Sequence, residues 1–498
     1  MCYTFAMGSS GRHAAMLCAV VAACASAAAC SASSQEPVER YPALAPDPPT
    51  EPGEAGVTPP PGADAGADVV APPDAKQLVA GPVQLEDVTS DGALVFFDAI
   101  GLRVLPPGGV TPVTVAQDFD FGYDERRVSG RFVAAWLSED PRPSPLHLWS
   151  KTGGVEVREA AYRDRLVADV ASDALVYAVP ASSLLQRTLR WTRAGQPAAH
   201  DVVTDLDTGL VTKECRPTVA FAATHIAIAG CPGGSAAPRV ATYATDGSGV
   251  VRTVLTGSAP GMWLDRARTH ALVQTSTASS IRSLTSNATP VALDGPVVSA
   301  RFSDDDAKVV VLLASGAVKR ASTSAPAAPV ELAPAATALL STSADARFVV
   351  VATQGDASRY ASNLVLLDAA TPGAPRELAP VDSAFYGLST AGDRAVWLER
   401  TGVGLEGRLR VAQLPSGAPV DVAPKASRVV RAGDVVYWQE WDAGTKTSTL
   451  KAARLGAPTV ALTVATGLDA LTTDVKVVGA RLFVGSKAGL WEMPAVTP

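Results

Sequence analysis

The chain has 498 residues and a net charge of −7, with 47% hydrophobic and 18% charged residues. That balance excludes global disorder and allows a sizeable core. The charge is unevenly placed: residues 31–75 carry eight acids against Arg40 alone, whereas residues 76–498 are close to neutral. A near-neutral body without a basic run excludes a nucleic-acid backbone as partner, since phosphate binding needs clustered Lys and Arg.

At the N-terminus, Arg12 precedes an apolar run from Ala14 to Ala23. It has signal-peptide length and is too short for a stable transmembrane span. The run ends in Val21-Ala22-Ala23-Cys24, and a similar ending follows in Ala27-Ala28-Ala29-Cys30. Each resembles a bacterial lipobox, in which small residues precede a cysteine that is acylated and becomes the new N-terminus. The resemblance implies export and a membrane anchor at Cys24 or Cys30. Val21 suits the first, and the polar Ser31-Ala32-Ser33-Ser34 suits the second. The alternative is an ordinary signal peptide cut after Ala-x-Ala, with no lipid. Asp follows neither cysteine, which resembles the outer-membrane sorting of Gram-negative lipoproteins.

Residues 31–75 hold eleven prolines, eight acids and one aromatic, Tyr41. They bury too little apolar surface to offset ordering entropy, so an extended tether is expected. Two further cysteines, Cys215 and Cys231, stand alone in the body. They lack the CxxC spacing of a zinc site, and in an exported chain a disulfide between them is expected.

From residue 76 onward, short Val-, Leu- and aromatic-rich runs alternate with Gly, Pro, Asp and Ser turns, the texture of an all-β array. A polar turn followed by a buried strand recurs. It reads Thr89-Ser-Asp-Gly-Ala-Leu-Val-Phe-Phe97, then Ser172-Asp-Ala-Leu-Val-Tyr-Ala178, Ser303-Asp-Asp-Asp-Ala-Lys-Val-Val-Val311 and Ser343-Ala-Asp-Ala-Arg-Phe-Val-Val-Val351. Further copies are Ala391-Gly-Asp-Arg-Ala-Val-Trp-Leu398, Ala432-Gly-Asp-Val-Val-Tyr-Trp438 and Val478-Gly-Ala-Arg-Leu-Phe-Val484, with weaker ones at Ser129, Thr224 and Arg268. Ten turns, at Asp91, Gly130, Asp173, Thr224, Arg268, Asp306, Asp345, Asp393, Asp434 and Gly479, recur about every 43 residues, the period of a four-stranded propeller blade.

The order of turn, buried strand, second strand and short outer strand resembles the TolB-type, WD40-like repeat over residues 85–497. The consensus proline is missing from every copy and the glycine from most. The resemblance implies a β-propeller of eight to ten four-stranded blades over residues 76–498, with a single ring favoured over two smaller ones. The last repeat stops after Gly489-Leu-Trp-Glu-Met493, and Gln77–Val83 is placed to supply its missing outer strand and close the ring.

No catalytic, cofactor-binding or metal-ligating set emerges. His147, His200, His225 and His270 fall singly on different repeats, and no Gly-x-Ser-x-Gly elbow accompanies them. Asp304-Asp305-Asp306 and Asp205-Leu206-Asp207 offer closely spaced oxygens but sit where turns are expected. Trp438 and Trp441 point to opposite faces of a strand, so Trp438 is expected in the core rather than in a sugar-stacking platform. Two functions stand open. One is an envelope-anchored, non-enzymatic binding or scaffold protein for a protein, peptide or glycan at the propeller face. The other is an extracytoplasmic hydrolase or lyase with its site in the funnel.

Overall fold

A run such as Leu94-Val-Phe-Phe97 has no polar side to give to water, so both faces of its sheet must be covered. The computed structural model describes residues 74–497 apart from 90, 118–124, 130–131, 137–143, 170–173, 182–185, 194–198, 208–214, 216, 222–224, 233–236, 246–247, 258–260, 276, 325–327, 357–360, 401–405 and 469–473. The fold is all-β and propeller-like, built from small antiparallel sheets, with no α-helix among the described residues.

Five sheets have four strands, one has seven and one has eleven. The two larger sheets divide by pairing. In Gly154–Asp169 the first half pairs with Ser144–Ser150 and the second half with Ala174–Pro180. Arg376–Leu388 and Val420–Ala432 likewise close one four-strand group and open the next. Among the described residues the pairings thus form ten four-strand groups, numbered here 1 to 10 from Gln84. Each begins with a strand, or the second half of a long one, that pairs on one side only, labelled innermost, and each sequence-predicted turn lies between the first and second strands of a group. The turns at Gly130, Asp173 and Thr224 are themselves outside the described residues.

Side-chain alternation explains the stacking. Within Leu94–Asp98, Leu94 and Phe96 pack with Phe483 and Leu490 of group 10, while Val95 and Phe97 pack with Val133 and Ala135 of group 2. Phe132 and Ala134, the intervening residues of that neighbouring strand, face Leu175 and Tyr177 of group 3. The period of two along each strand therefore becomes an address for two neighbours. Ten apolar clusters each join consecutive groups, the tenth joining group 10 to group 1. Burial of each large side chain contributes roughly 1.5–3 kcal/mol.

The outer strand of group 10 comes from the other end of the sequence. Lys76–Ala80 pairs antiparallel with Gly489–Pro494, from Lys76 opposite Glu492 to Ala80 opposite Gly489. The Gly81 and Val83 N–H groups donate to the Ala488 and Ser486 carbonyls at 3.3 and 3.0 Å. Gly489 has φ +150°, and a Cβ there would lie 2.3 Å from the Val79 carbonyl oxygen. Only glycine fits this approach.

Deleting residues 76–84 should lower the melting temperature of the whole body rather than shorten it locally. Gly489→Ala should act in the same direction through the clash with Val79. Thermal denaturation followed by circular dichroism checks both, and an unchanged cooperative transition after the deletion would refute the closure.

Candidate functional site

The innermost strands place charged side chains where the two chain ends meet. Glu86 and Asp87 belong to Gln84–Val88 of group 1, Arg126 to Glu125–Ser129 of group 2, Asp474 and Lys476 to Asp474–Val478 of group 10, and Arg428 to Val420–Ala432. Arg126 Nη2 lies 2.7 Å from Glu86 Oε2, and its guanidinium sits 5.0 Å from the Phe97 ring centre. Lys476 Nζ lies 3.9 Å from Asp87 Oδ1, whose oxygen also accepts the Val88 N–H at 2.8 Å. Three acids and three bases thus gather on four consecutive groups.

Asp474 is the chemically distinct member. Burial pushes its carboxyl up to about 6, while Arg428 and Lys476 oppose the shift and Glu86 adds to it. A carboxyl titrating there is poised to give or take a proton near neutral pH. Arg428 is placed by the backbone, with φ 47° at the point where one long strand passes from group 8 to group 9. A left-handed conformation at a residue other than glycine costs of order 1–3 kcal/mol. Asp382 makes the same passage from group 7 to group 8 with φ 73°.

Cys215 and Cys231 form a disulfide with a Cα–Cα distance of 4.9 Å. Both cysteines are buried, and the Cys231 carbonyl accepts the Asp207 N–H at 3.2 Å. The bridge therefore ties the entry of group 4 to the end of its second strand and back to group 3. This is a clamp within packed structure.

The histidines remain apart. His147 lies in the third strand of group 2, and His200 stacks on Trp191 with ring centres 4.8 Å apart. His225 opens a strand of group 4, where burial lowers its pKa. His270 comes nearest to a catalytic arrangement, with Nδ1 3.1 Å from both the buried Asp265 Oδ2 and Thr269 Oγ1. A relay needs hydroxyl and carboxylate on opposite ring nitrogens, and here both meet the same one.

The acidic clusters are turn chemistry. Asp305 Oδ1 accepts the Ser303 hydroxyl at 2.6 Å and the Ala307 N–H at 3.1 Å, contacts that hold its carboxyl below the usual range. Asp306 accepts the Arg266 and Ala267 N–H groups of group 5 at 2.7 and 2.9 Å. Asp205 and Asp207 lie in the outermost strand of group 3, Asp205 with φ 52°. No cluster of metal-ligand type occurs among the described residues. Trp438 is fully buried, its Nε1 donating to Glu440 Oε1 at 3.0 Å, whereas Trp441 is only partly buried. Cys24 and Cys30, the lipidation candidates, lie outside the described residues.

The inner-strand charges escaped the sequence reading. Their partners lie one repeat or a whole body apart in the sequence. The only local signal was a charged residue inside a strand otherwise bounded by apolar runs.

No family model and no curated protein matches the chain. Solved structures that resemble it include a crystal structure of a eukaryotic initiation factor, at 13% identity and TM-score 0.46, covering 72% of this chain and 90% of that one. A structure from work on two prolyl endopeptidases matches at 12% identity and TM-score 0.36, covering 67% and 54%. The tricorn protease matches at 9% identity and TM-score 0.31, covering 83% and 52%. The chain spans about half the length of these last two. Likenesses this distant assign no activity.

The raised pKa of Asp474 means that the folded chain holds this proton more tightly than the unfolded chain does. Its contribution to stability is present below about pH 4 and is lost as pH rises through about 6, a loss of up to about 3 kcal/mol. Asp474→Asn should therefore raise the melting temperature at pH 7.5, and the gain should vanish toward pH 4. A gain that grows on acidification would contradict the assignment.

Proposed function

We propose that the ten four-strand groups are blades of one closed ring, and that the chain is an envelope-anchored binding protein holding a protein, peptide or glycan partner at the ring's axial channel. The observation that carries this reading is the unbroken cycle of contacts. Each group packs on the next, and the innermost strands of groups 10 and 1 approach within 8 Å between Cα atoms. Ten innermost strands at the ~10 Å spacing of stacked sheets enclose an opening of about 30 Å between backbones. Such an opening admits an extended chain.

The anchor completes the proposal. Acylation at Cys24 or Cys30, followed by the acidic tether of residues 31–75, holds the ring at a membrane surface and lifts it clear. Several acyl chains on one cysteine hold where a single chain does not.

A second reading is favoured by one observation, the Asp474 carboxyl titrating near 6 beside Glu86 and two cations, Arg428 and Lys476. In an extracytoplasmic hydrolase or lyase, Asp474 would serve as general acid or base on a glycan or peptide in the channel.

Electron-microscopy averages of the purified chain should display a closed ring of ten units with an axial opening. Two smaller rings, or an open arc, would overturn the architecture. Labelled fatty acid should enter the chain in a Gram-negative host, and Cys24→Ser or Cys30→Ser should abolish labelling. Pull-down from detergent-solubilised envelopes should retain a partner. Release of new reducing ends or amines from envelope material, lost in Asp474→Asn, would transfer support to the enzymatic reading.

A further inference from the structure

The innermost strand of group 6, Val297–Phe302, carries a cation, Arg301, that no acid among the described residues balances. Arg301 pairs in register with Val310, and Val310 packs with Leu339 and Val349 of group 7, so Arg301 lies on the face turned to that group. Two more cations share the face. Arg320 stands opposite Val310 on the third strand and donates to the Ala346 carbonyl at 3.5 Å, while Lys308 reaches the Asp345 carbonyl at 3.5 Å. Asp345 itself is engaged by the Ser343 hydroxyl at 2.7 Å and the Arg347 N–H at 3.0 Å.

The Arg301 guanidinium makes no hydrogen bond or ion pair with any described residue, although its Nε is sealed from solvent. Burial pulls its pKa below the usual arginine value, and no carboxylate offsets the shift. Three other partly buried arginines are tied to acids, Arg103 to Asp98 at 2.8 Å, Arg126 to Glu86 at 2.7 Å and Arg410 to Glu399 at 2.7 Å, and Arg282 and Arg320 at least donate to hydroxyl or carbonyl oxygens. The Arg301 side chain is partly buried, and its two terminal nitrogens, unlike Nε, stay open to solvent and available to an anion. Its planar fork of donors fits a carboxylate through two parallel hydrogen bonds.

A second feature identifies the carrier of that carboxylate. Val297–Phe302 is the end strand of its sheet and pairs only with Lys308–Leu313. Its other edge faces the ring axis with backbone N–H and C=O groups that no strand of the sheet takes up. An edge of this kind accepts an extended peptide by main-chain hydrogen bonds, a mode that a glycan lacks. We propose that Arg301 anchors an acidic-peptide site on the channel wall. A side-chain or C-terminal carboxylate docks on the guanidinium while the peptide backbone runs along the free edge of Val297–Phe302. The site rests on the ring reading given above and deepens it by naming the ligand chemistry.

Fluorescently labelled hexaglutamate, titrated into the full chain and followed by anisotropy, tests the site, with hexaglutamine, an oligogalacturonate and inorganic phosphate as comparison probes. Saturable hexaglutamate binding is expected, weakened at least roughly tenfold by Arg301→Gln and less by Arg301→Lys, which keeps charge but not the fork. Hexaglutamine should not bind. Equal binding by wild type and Arg301→Gln overturns the site, as does absence of hexaglutamate binding. Binding of oligogalacturonate or phosphate in preference to hexaglutamate overturns the peptide assignment.

Stability supplies an independent readout. Relief of an unpaired charge should leave the Arg301→Gln melting temperature at or above that of wild type, and a clear fall would mark Arg301 as structural and overturn its anchoring role. Electron microscopy of the same samples separates the two readings. A closed ring that binds no hexaglutamate removes the site alone, whereas a split or open ring removes the channel with it.

Discussion

Every sheet in this protein is apolar on both faces, and that constraint organises the rest. A four-stranded sheet of this kind is narrow and cannot shield itself, so each needs a neighbour on either side. Alternate residues of one strand, Leu94 and Phe96 against Val95 and Phe97, divide between those neighbours. An open row of such sheets would leave two naked faces, one on group 1 and one on group 10. They cover each other through Phe96, Phe483 and Leu490, and the strand Lys76–Ala80 covers the remaining edge of group 10. The chain ends are thus joined by the same apolar packing that joins all other groups, with hydrogen bonds fixing the register.

The polar turns complement this packing at the rim. Ser303, Ser343 and Ser389 each bind the aspartate of their own turn, so these turns satisfy their polar groups without solvent. Spare acceptors then reach sideways. Asp306 accepts two N–H groups from group 5, and Asp434 accepts the Thr390 N–H at 2.9 Å. Apolar clusters set which groups adjoin, and these directional bonds set their rotation about the contact. Where no turn separates two groups, a single left-handed residue such as Asp382 or Arg428 redirects a continuous strand.

These two layers explain what could be read in advance. Strands and turns are local: Ser303-Asp-Asp-Asp followed by an apolar run declares both its turn and its doubly covered strand within nine residues. The outer strand at Lys76 was also accessible, because counting strands per repeat leaves the last repeat one short. Trp438 could be assigned to the core from the period of two alone. The inner-strand charges carry no such signal. Glu86 and Arg126 are separated by a full repeat, and Asp474 meets Glu86 only because the ends converge, so each reads singly as a solvated charge. An unpaired arginine such as Arg301 is invisible for a further reason: its meaning lies in which acids are not near it.

The distribution of cost across the fold is uneven in an informative way. The serine–aspartate turns satisfy their polar groups and the sheet interfaces bury apolar ones, and both favour folding. Unfavourable terms also occur on innermost strands: Asp474 held partly protonated by burial, Arg428 in a left-handed conformation, and Arg301 without a counter-charge. Selection for stability alone removes such terms readily, since a neutral residue of similar size would serve each position as well or better. Ten apolar interfaces supply the margin that offsets these local costs.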